Sequence, residues 1–332
     1  MSKIAALFIL GLIINVSAFD FSQEQSTLID EVLTLVLNSE FETALAITDS
    51  ITNCQPENIL TPVLHFTALG MRDLDYNISV DSLLFLSSFK RAEQAITQSE
   101  RENGVTPLSQ TLLGFTLSMH ASYYLRNRSY WAAYGTGMSA IRTLQNAREM
   151  DPSNTEVNFF LGLYDYGRAE LRRRFWWVLF WYPGNKESGI RQLELCSENA
   201  TLTRYAAMLS LSDVYLQEDE PEKSLEIIRQ LESIFPQSRF VLWSRAKYYE
   251  ARELYTEAAK VFEYLAQSYE SSEHGKYNAT VTRNKQAHML AESGKLSEAA
   301  LICQLILDQQ PCDATKPLFR DTERLLRRVN GT

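Results

Sequence analysis

Apolar residues recur along the chain at the spacing of one helical face. Leu28, Val32 and Leu35 lie at positions i, i+4 and i+7, which predicts a helix over about Ser26–Asn38. The same pattern predicts further helices over Phe41–Asn53, Leu60–Asp73, Asp81–Arg101, Pro107–Leu125 and Tyr130–Met150. The polar and apolar positions therefore indicate an all-α chain whose helices follow one another in pairs.

Two consecutive stretches within residues 205–273 superimpose at a spacing of 34 residues. The matching pairs are Leu211 and Arg245, Tyr215 and Tyr249, Ser224 and Ala258, Ile228 and Phe262, Leu231 and Leu265, and Pro236 and Glu270. Small and large residues at fixed offsets in a period of this length are typical of stacked helix hairpins. Such a solenoid offers an extended surface for binding rather than a pocket for chemistry.

This chain resembles the tetratricopeptide-repeat (TPR) family over nearly all of residues 19–332, most regularly over residues 205–313. Asp165 and Arg245 depart from the tyrosine and leucine that are usual at their positions. The resemblance implies one right-handed superhelical α-solenoid of about seven helix hairpins, closed by a C-terminal capping helix over about Pro317–Val329. It also implies a non-catalytic scaffold that binds a partner protein or peptide in a concave groove.

The first helix of each TPR hairpin lines that groove. Aromatic residues and arginines on the predicted first helices of the third and fourth hairpins are therefore candidates for gripping a partner. They are Tyr123, Tyr124, Arg126, Tyr164, Tyr166 and Arg168. By contrast, Tyr215 and Tyr249 occupy equivalent positions of the repeat, and we expect them to be packing residues.

The fourth hairpin contains an aromatic insert at residues 168–184, where the period is broken. Its candidate residues are Arg172, Arg173, Arg174, Trp176, Trp177 and Trp181. Three interpretations stay open: residues 175–182 fill a gap between two hairpins, contact a membrane interface, or form a partner-binding patch. The membrane interpretation makes the chain a membrane-associated or lipid-binding protein.

The N-terminus predicts a cleaved signal peptide over residues 1–18. Lys3 precedes an apolar run over Ile4–Val16, and Val16-Ser17-Ala18 supplies small residues at the positions that a signal peptidase reads. Cleavage would leave Phe19 as the first residue. An uncleaved membrane anchor is the alternative, although the apolar run is shorter than the roughly 20 residues of a spanning helix. We expect the protein to be exported, periplasmic or secreted.

Charge and motif content narrow the classes of function. The net charge is -9, which does not favour nucleic acid as a partner. The four histidines are scattered, and the sequence contains no phosphate-binding glycine loop, GxSxG or HExxH motif. We therefore predict no catalytic residues, no metal and no cofactor.

The cysteines Cys54, Cys196, Cys303 and Cys312 allow three pairings. Cys303 and Cys312 flank the turn at Pro311 and are the best candidates for a disulfide bridge. The alternative is four unpaired thiols that act as small apolar residues.

Overall fold

In a computed structural model, residues 21–55, 58–77, 81–174 and 184–331 are described. Within these ranges the chain forms fifteen helices. They are α1 Gln23–Leu37, α2 Phe41–Cys54, α3 Leu60–Asp75, α4 Ser82–Asn103, α5 Pro107–Arg126, α6 Tyr130–Met150, α7 Asn158–Arg174, α8 Lys186–Asn199, α9 Arg204–Gln217, α10 Pro221–Ile234, α11 Arg239–Ala251, α12 Tyr255–Glu270, α13 Lys276–Glu292, α14 Leu296–Leu307 and α15 Lys316–Asn330.

The helices pack in consecutive pairs, so that α1 to α14 form seven hairpins and α15 packs against α13 and α14. This confirms the TPR-like α-solenoid with a capping helix. Phe319, Thr322 and Leu325 give α15 its buried face, while Arg324 and Arg328 lie on its exposed side. A terminal helix with a polar outer face protects the end of the stack from solvent.

The turn inside a hairpin contains a residue with positive φ in each of the six hairpins where the described residues include that position. Ser39, Asn77, Arg128, Asp219 and Glu253 all have positive φ, and Gly294 occupies the equivalent position of the seventh hairpin. Non-glycine residues rarely adopt this left-handed conformation, so its recurrence at one place is a property of the repeat. This residue follows the end of the first helix, and in every one of these hairpins except the second the next helix begins two residues later.

Contacts between hairpins show which helices face the inside of the solenoid. The first helices of neighbouring hairpins contact one another directly. The contacting pairs are α1 and α3, α3 and α5, α9 and α11, and α13 and the cap α15. The second helices contact their own hairpin and the first helix of the next. Since first helices crowd together, they line the inner, concave side, and the second helices lie outside.

A buried carboxylate fixes the position of α9 on the preceding hairpin. Glu156, just before α7, accepts hydrogen bonds from the backbone N–H groups of Leu202 and Thr203 at 3.0 and 3.1 Å. Thr203 Oγ1 also donates to it at 2.8 Å. These donors precede the N-terminus of α9, where a carboxylate is favourable for the helix dipole. Burial raises the pKa of Glu156, and the same hydrogen bonds oppose that rise.

The two ends of the solenoid meet. One hydrophobic cluster joins buried residues of α1–α5 with buried residues of α11–α14. In a second cluster, Leu37 at the end of α1 packs with Met208, Phe235 and Val241 of the fifth and sixth hairpins. The solenoid thus completes a turn, and its first two hairpins rest on the fifth, sixth and seventh.

An ion pair at this contact, which we call the latch, joins Asp75 at the end of α3 to Arg239 at the start of α11. The two side chains are 1% and 7% exposed. Arg239 Nε donates to the Asp75 carboxylate at 2.9 Å, and the guanidinium lies 4.8 Å from the ring centroid of Tyr269. Tyr269 donates its hydroxyl to the same carboxylate at 3.0 Å. Burial raises the pKa of Asp75 despite the opposing Arg239 guanidinium.

Further polar contacts surround the latch. Asn278 Nδ2 donates to the backbone carbonyl of Asp75, a group at the C-terminus of α3 that has no partner within its helix. The hydroxyls of Tyr76 and Ser272 are hydrogen-bonded at 2.6 Å. Residues at the ends of α3 and α12 and within α11 to α13 therefore satisfy one another's hydrogen-bonding groups at a single junction.

Asp75→Asn should lower the free energy of unfolding by about 3–5 kcal/mol, because it leaves the Arg239 charge buried and unpaired. Urea unfolding measures this loss, and small-angle scattering should show a larger radius of gyration if the turn opens. Asp213→Asn, at a solvent-exposed ion pair, is the matched control and should cost about 1 kcal/mol or less. An equal, small effect of both substitutions would contradict a structural role for the latch.

Candidate partner-binding surfaces

Two aromatic candidates lie together at the end of α5, but only one of them reaches the surface. Tyr123 is buried, with its ring stacked on Phe85 at 4.5 Å between centroids and 14° between planes. Tyr124 is half-buried, 4.4 Å from the ring of His120. Tyr123 is therefore a packing residue and not a groove residue, because its face is covered by α4.

Arg126 lies in the last turn of α5 near Asp73 of α3. Burial lowers the pKa of the Arg126 guanidinium, and the Asp73 charge opposes that shift. Its Nε and Nη2 atoms have no hydrogen-bond partner within the described part of the chain. Those two atoms are buried, so of this pair only the half-buried ring of Tyr124 offers a clear surface contact, and Arg126 is mainly enclosed by its neighbours.

The candidates on α7 divide in the same way. Tyr166 is buried, and its hydroxyl donates at 3.0 Å to Glu218, the C-cap residue of α9. Burial and this hydrogen bond to Glu218 raise the pKa of Tyr166. Tyr164 is half-buried, and the guanidinium of Arg168 lies 4.9 Å from its ring centroid. Tyr166 therefore joins two hairpins, while Tyr164 and Arg168 form a cation–π pair at the surface.

Only part of the aromatic insert falls within the described residues. Arg172 and Arg173 are exposed, and Arg173 Nε donates to the Glu170 carboxylate at 3.0 Å. They line a shallow cleft with Lys186 and Glu187 at the start of α8. The side chain of Arg174 lies outside the described residues, as do Trp176, Trp177 and Trp181.

The expected disulfide bridge is absent, because all four cysteines are free. Cys303 is buried in a cluster with Ala287 and Leu325, whereas Cys312 is exposed in the loop before α15. Burial raises the pKa of Cys303 to about 11. Cys303 is therefore a small apolar core residue that α15 covers.

A row of ion pairs, which we call the charge ladder, connects the first helices of the last three hairpins and the cap. Its pairs are Asp213–Lys247, Glu250–Lys285, His288–Asp321 and Glu292–Arg328. Each pair joins one first helix to the next, or α13 to α15. Since these helices face inwards, the charge ladder lies on the concave side of the regular half of the solenoid.

The charge ladder contributes little to stability. Its side chains are between 33% and 57% exposed, and ion pairs in such solvent contribute about 0–1 kcal/mol each. Asp321 is held more strongly than the other members. Burial alone would raise the pKa of its carboxyl group, but hydrogen bonds from His288 and Asn284 lower that pKa. Pairs this weak are able to exchange their partner for a charged group of a ligand.

Sequence reasoning missed the charge ladder, although the sequence contains its signal. Lys247 follows Asp213 by 34 residues, and Lys285 follows Glu250 by 35. Opposite charges one period apart on first helices predict contacts between neighbouring hairpins. Arg245, noted as a departure from the repeat, instead pairs with Glu232 on α10 and lies 5.9 Å from the ring centroid of Tyr249.

Other classes of site are not indicated by the described residues. No group of three or more His, Cys, Asp or Glu side chains in those ranges is placed to hold a metal ion. In the same ranges, no helix combines the length and the apolar character needed to cross a bilayer.

Comparisons with known proteins bear on the fold. No family model matches the sequence, and no curated protein does. Among solved structures, the APC/C hetero-tetramer Cut9-Hcn1 matches 93% of this chain with a TM-score of 0.55 and 13% identity. This chain spans 57% of the length of that one. The likeness shows a divergent TPR-type solenoid.

Two further solved structures are similar at lower scores. The human IFIT1 dimer with PPP-AAAA matches 89% of this chain and 69% of its own, with 12% identity and a TM-score of 0.49. A tetratricopeptide repeat protein from Parabacteroides merdae matches 80% of this chain and 92% of its own, with 13% identity and a TM-score of 0.41.

Tyr166→Phe should lower the free energy of unfolding by about 1 kcal/mol, because Glu218 loses one hydrogen bond while the ring keeps its packing. Chemical denaturation measures the change. Tyr164→Phe is the matched control on the same helix, and we expect a smaller loss because its hydroxyl donates to the sulfur of Met138 at 3.9 Å, and sulfur is a weaker acceptor than a carboxylate. A loss for Tyr164→Phe equal to that for Tyr166→Phe would contradict this difference.

Proposed function

We propose that the protein is a non-catalytic interaction scaffold that holds an extended partner segment against its concave side. The observation that carries this proposal is the charge ladder, which places both signs of charge in a repeating row on the inner helices. A solenoid presents such a row to one continuous ligand, because successive hairpins add equivalent positions along the groove.

The chemistry of the charge ladder defines the partner. A segment with acidic and basic side chains in alternation can replace each internal pair with a pair across the interface. Such contacts give specificity and a fast association rate more than they give affinity. Tyr124, Arg126, Tyr164 and Arg168 supply aromatic and cationic contacts on the first helices of the third and fourth hairpins. Residues of these types commonly dominate the energy of interfaces.

The latch supports this function by fixing the groove. Because hairpins one and two rest on hairpins five to seven, the curvature of the inner surface does not depend on the partner. A preformed surface loses less conformational entropy when it binds.

We also propose that the scaffold works outside the cytoplasm, in the cell envelope or secretory space. Support comes from the signal-peptide pattern of residues 1–18, which lie outside the described residues. The four free cysteines are compatible with an exported protein, since two are buried and none depends on a bridge.

Exchanging the charges of one ladder pair tests partner binding. The double variant Asp213→Lys, Lys247→Asp keeps an internal ion pair but reverses its polarity. We expect at least about a tenfold loss of crosslinked partner, on the order of the 1–3 kcal/mol that charge complementarity carries. Crosslinking in the native cell, followed by quantitative mass spectrometry, measures this loss.

A matched control exchanges the exposed pair Asp313–Lys316, which lies at the loop before α15 and away from the inner helices. It should leave the crosslinks unchanged. The unfolding midpoint of both exchanged proteins should also remain unchanged, because each keeps its pair. Crosslinks that survive the Asp213 and Lys247 exchange would refute binding at the charge ladder.

The export proposal has its own test. When the protein is purified from its native cell, N-terminal sequencing should begin at Phe19, because cleavage follows Ala18. Ala18→Leu should block processing, since the peptidase needs a small residue there. Recovery of the wild-type chain with residues 1–18 intact, in the cytosolic fraction, would exclude export by this route.

A further inference from the structure

The third hairpin, α5 and α6, differs from the rest of the chain in its charge. Residues 103–148 contain no Asp or Glu and carry four arginines. The whole chain, by contrast, has 41 acidic residues against 32 basic ones. This hairpin is therefore a positive segment in an acidic protein, and it favours an anionic partner that the remaining surface repels.

The same hairpin exposes an aromatic patch at the start of α6, which we call the α6 patch. Its members are Tyr130, Trp131 and Tyr134, which are 63%, 89% and 65% exposed. Tyr134 lies four residues after Tyr130 and three after Trp131, so it is a neighbour of both on the helix surface. Leu125, at the end of α5, is 58% exposed across the turn. Scattered single apolar residues are ordinary on a surface, but a contiguous aromatic group marks an interaction site.

Two arginines flank the α6 patch. Arg128 is exposed in the turn immediately before Tyr130, and Arg142 is exposed three turns further along α6. The segment between them has no other charged residue. Tryptophan and tyrosine favour the boundary between lipid headgroups and acyl chains, and arginine at the margin is placed to meet phosphate groups.

The place of α6 in the solenoid makes this surface accessible to a flat partner. As a second helix, α6 lies on the outer, convex side, where neighbouring second helices do not crowd one another. A planar surface can approach a convex face without obstruction by other hairpins. The charge ladder, on the concave side, is not available to a plane in this way.

From these observations we propose that the α6 patch docks the protein on an anionic lipid bilayer. Tyr130, Trp131, Tyr134 and Leu125 enter the interfacial region, and Arg128 and Arg142 contact lipid phosphates. The contact is peripheral, since α6 lies along the surface and does not cross it. This site is separate from the charge ladder, so one protein can hold a partner on its inner face while its outer face rests on a membrane.

Vesicle co-sedimentation tests the proposal. The full-length protein should sediment with vesicles of phosphatidylcholine mixed with phosphatidylglycerol, and weakly with phosphatidylcholine alone. The triple variant Tyr130→Ser, Trp131→Ser, Tyr134→Ser should lose binding by at least about tenfold, because the aromatic area no longer leaves water. Arg128→Asn and Arg142→Gln should each weaken binding by about fivefold, and only at low salt.

The chain offers matched controls on other hairpins. Leu83→Ser and Leu301→Ser remove exposed apolar side chains from α4 and α14 and should leave sedimentation unchanged. Circular dichroism and the melting temperature should be the same for all variants, because none of these side chains is buried.

Three results would overturn the proposal. The wild-type protein does not sediment with anionic vesicles, or the triple variant sediments as the wild type does. The third such result is sedimentation that persists in the triple variant but is lost when Trp176, Trp177 and Trp181 are changed to Ser. That result would assign lipid contact to the aromatic insert. Loss of a protein crosslink at Trp131, without vesicle binding by the wild type, would instead identify the α6 patch as a protein-docking face.

Discussion

The buried ion pair between Asp75 and Arg239 is the constraint on which the closed form of this solenoid depends. A repeat array stacked only on its neighbours has two free ends and bends easily. Here the end of α3 is held at the junction of α11, α12 and α13 by the latch, and Leu37 packs nearby on the fifth and sixth hairpins. Because both charges are out of water, each is stabilised only while the other is present.

Closure has a consequence for the inner face. The first helices that line it are held in fixed register, so the ion pairs of the charge ladder recur at nearly constant spacing. Those pairs are solvated and weak, in contrast to the buried latch. The molecule thus uses charge in two ways: a buried pair joins its two ends, and partly exposed pairs connect the first helices of its regular half.

The outer face follows a different composition. Around the α6 patch the chain lacks acidic residues over residues 103–148 and places aromatic rings in solvent. The inner and outer faces therefore differ in chemistry, which is why we propose a mixed-charge peptide for the first and an anionic bilayer for the second. A solenoid can carry both, because each hairpin has one helix on each side.

The repeat itself could be predicted from the sequence because its signal is local. Helical periodicity and the 34-residue offset predicted seven hairpins and a cap, since each hairpin packs mainly on its immediate neighbours. Residue type also gave Tyr164 and Arg168 as candidates, and the structure places both half-buried, as a cation–π pair. Residue type could not show that Tyr123 and Tyr166 are buried packing residues, because an aromatic residue on a first helix suits the groove and the core equally well.

Only the tertiary structure decided how the ends of the array meet. Asp75 and Arg239 are separated by 164 residues, and neither periodicity nor spacing relates them. The prediction of a Cys303–Cys312 bridge was wrong for a related reason. The spacing allowed it, but α15 covers the Cys303 thiol while Cys312 is exposed to solvent. The sequence by itself determined the hairpins, through local hydrophobic periodicity. Their closure into a turn depended on the small twist between hairpins, which accumulates over the whole chain and appears at no single position.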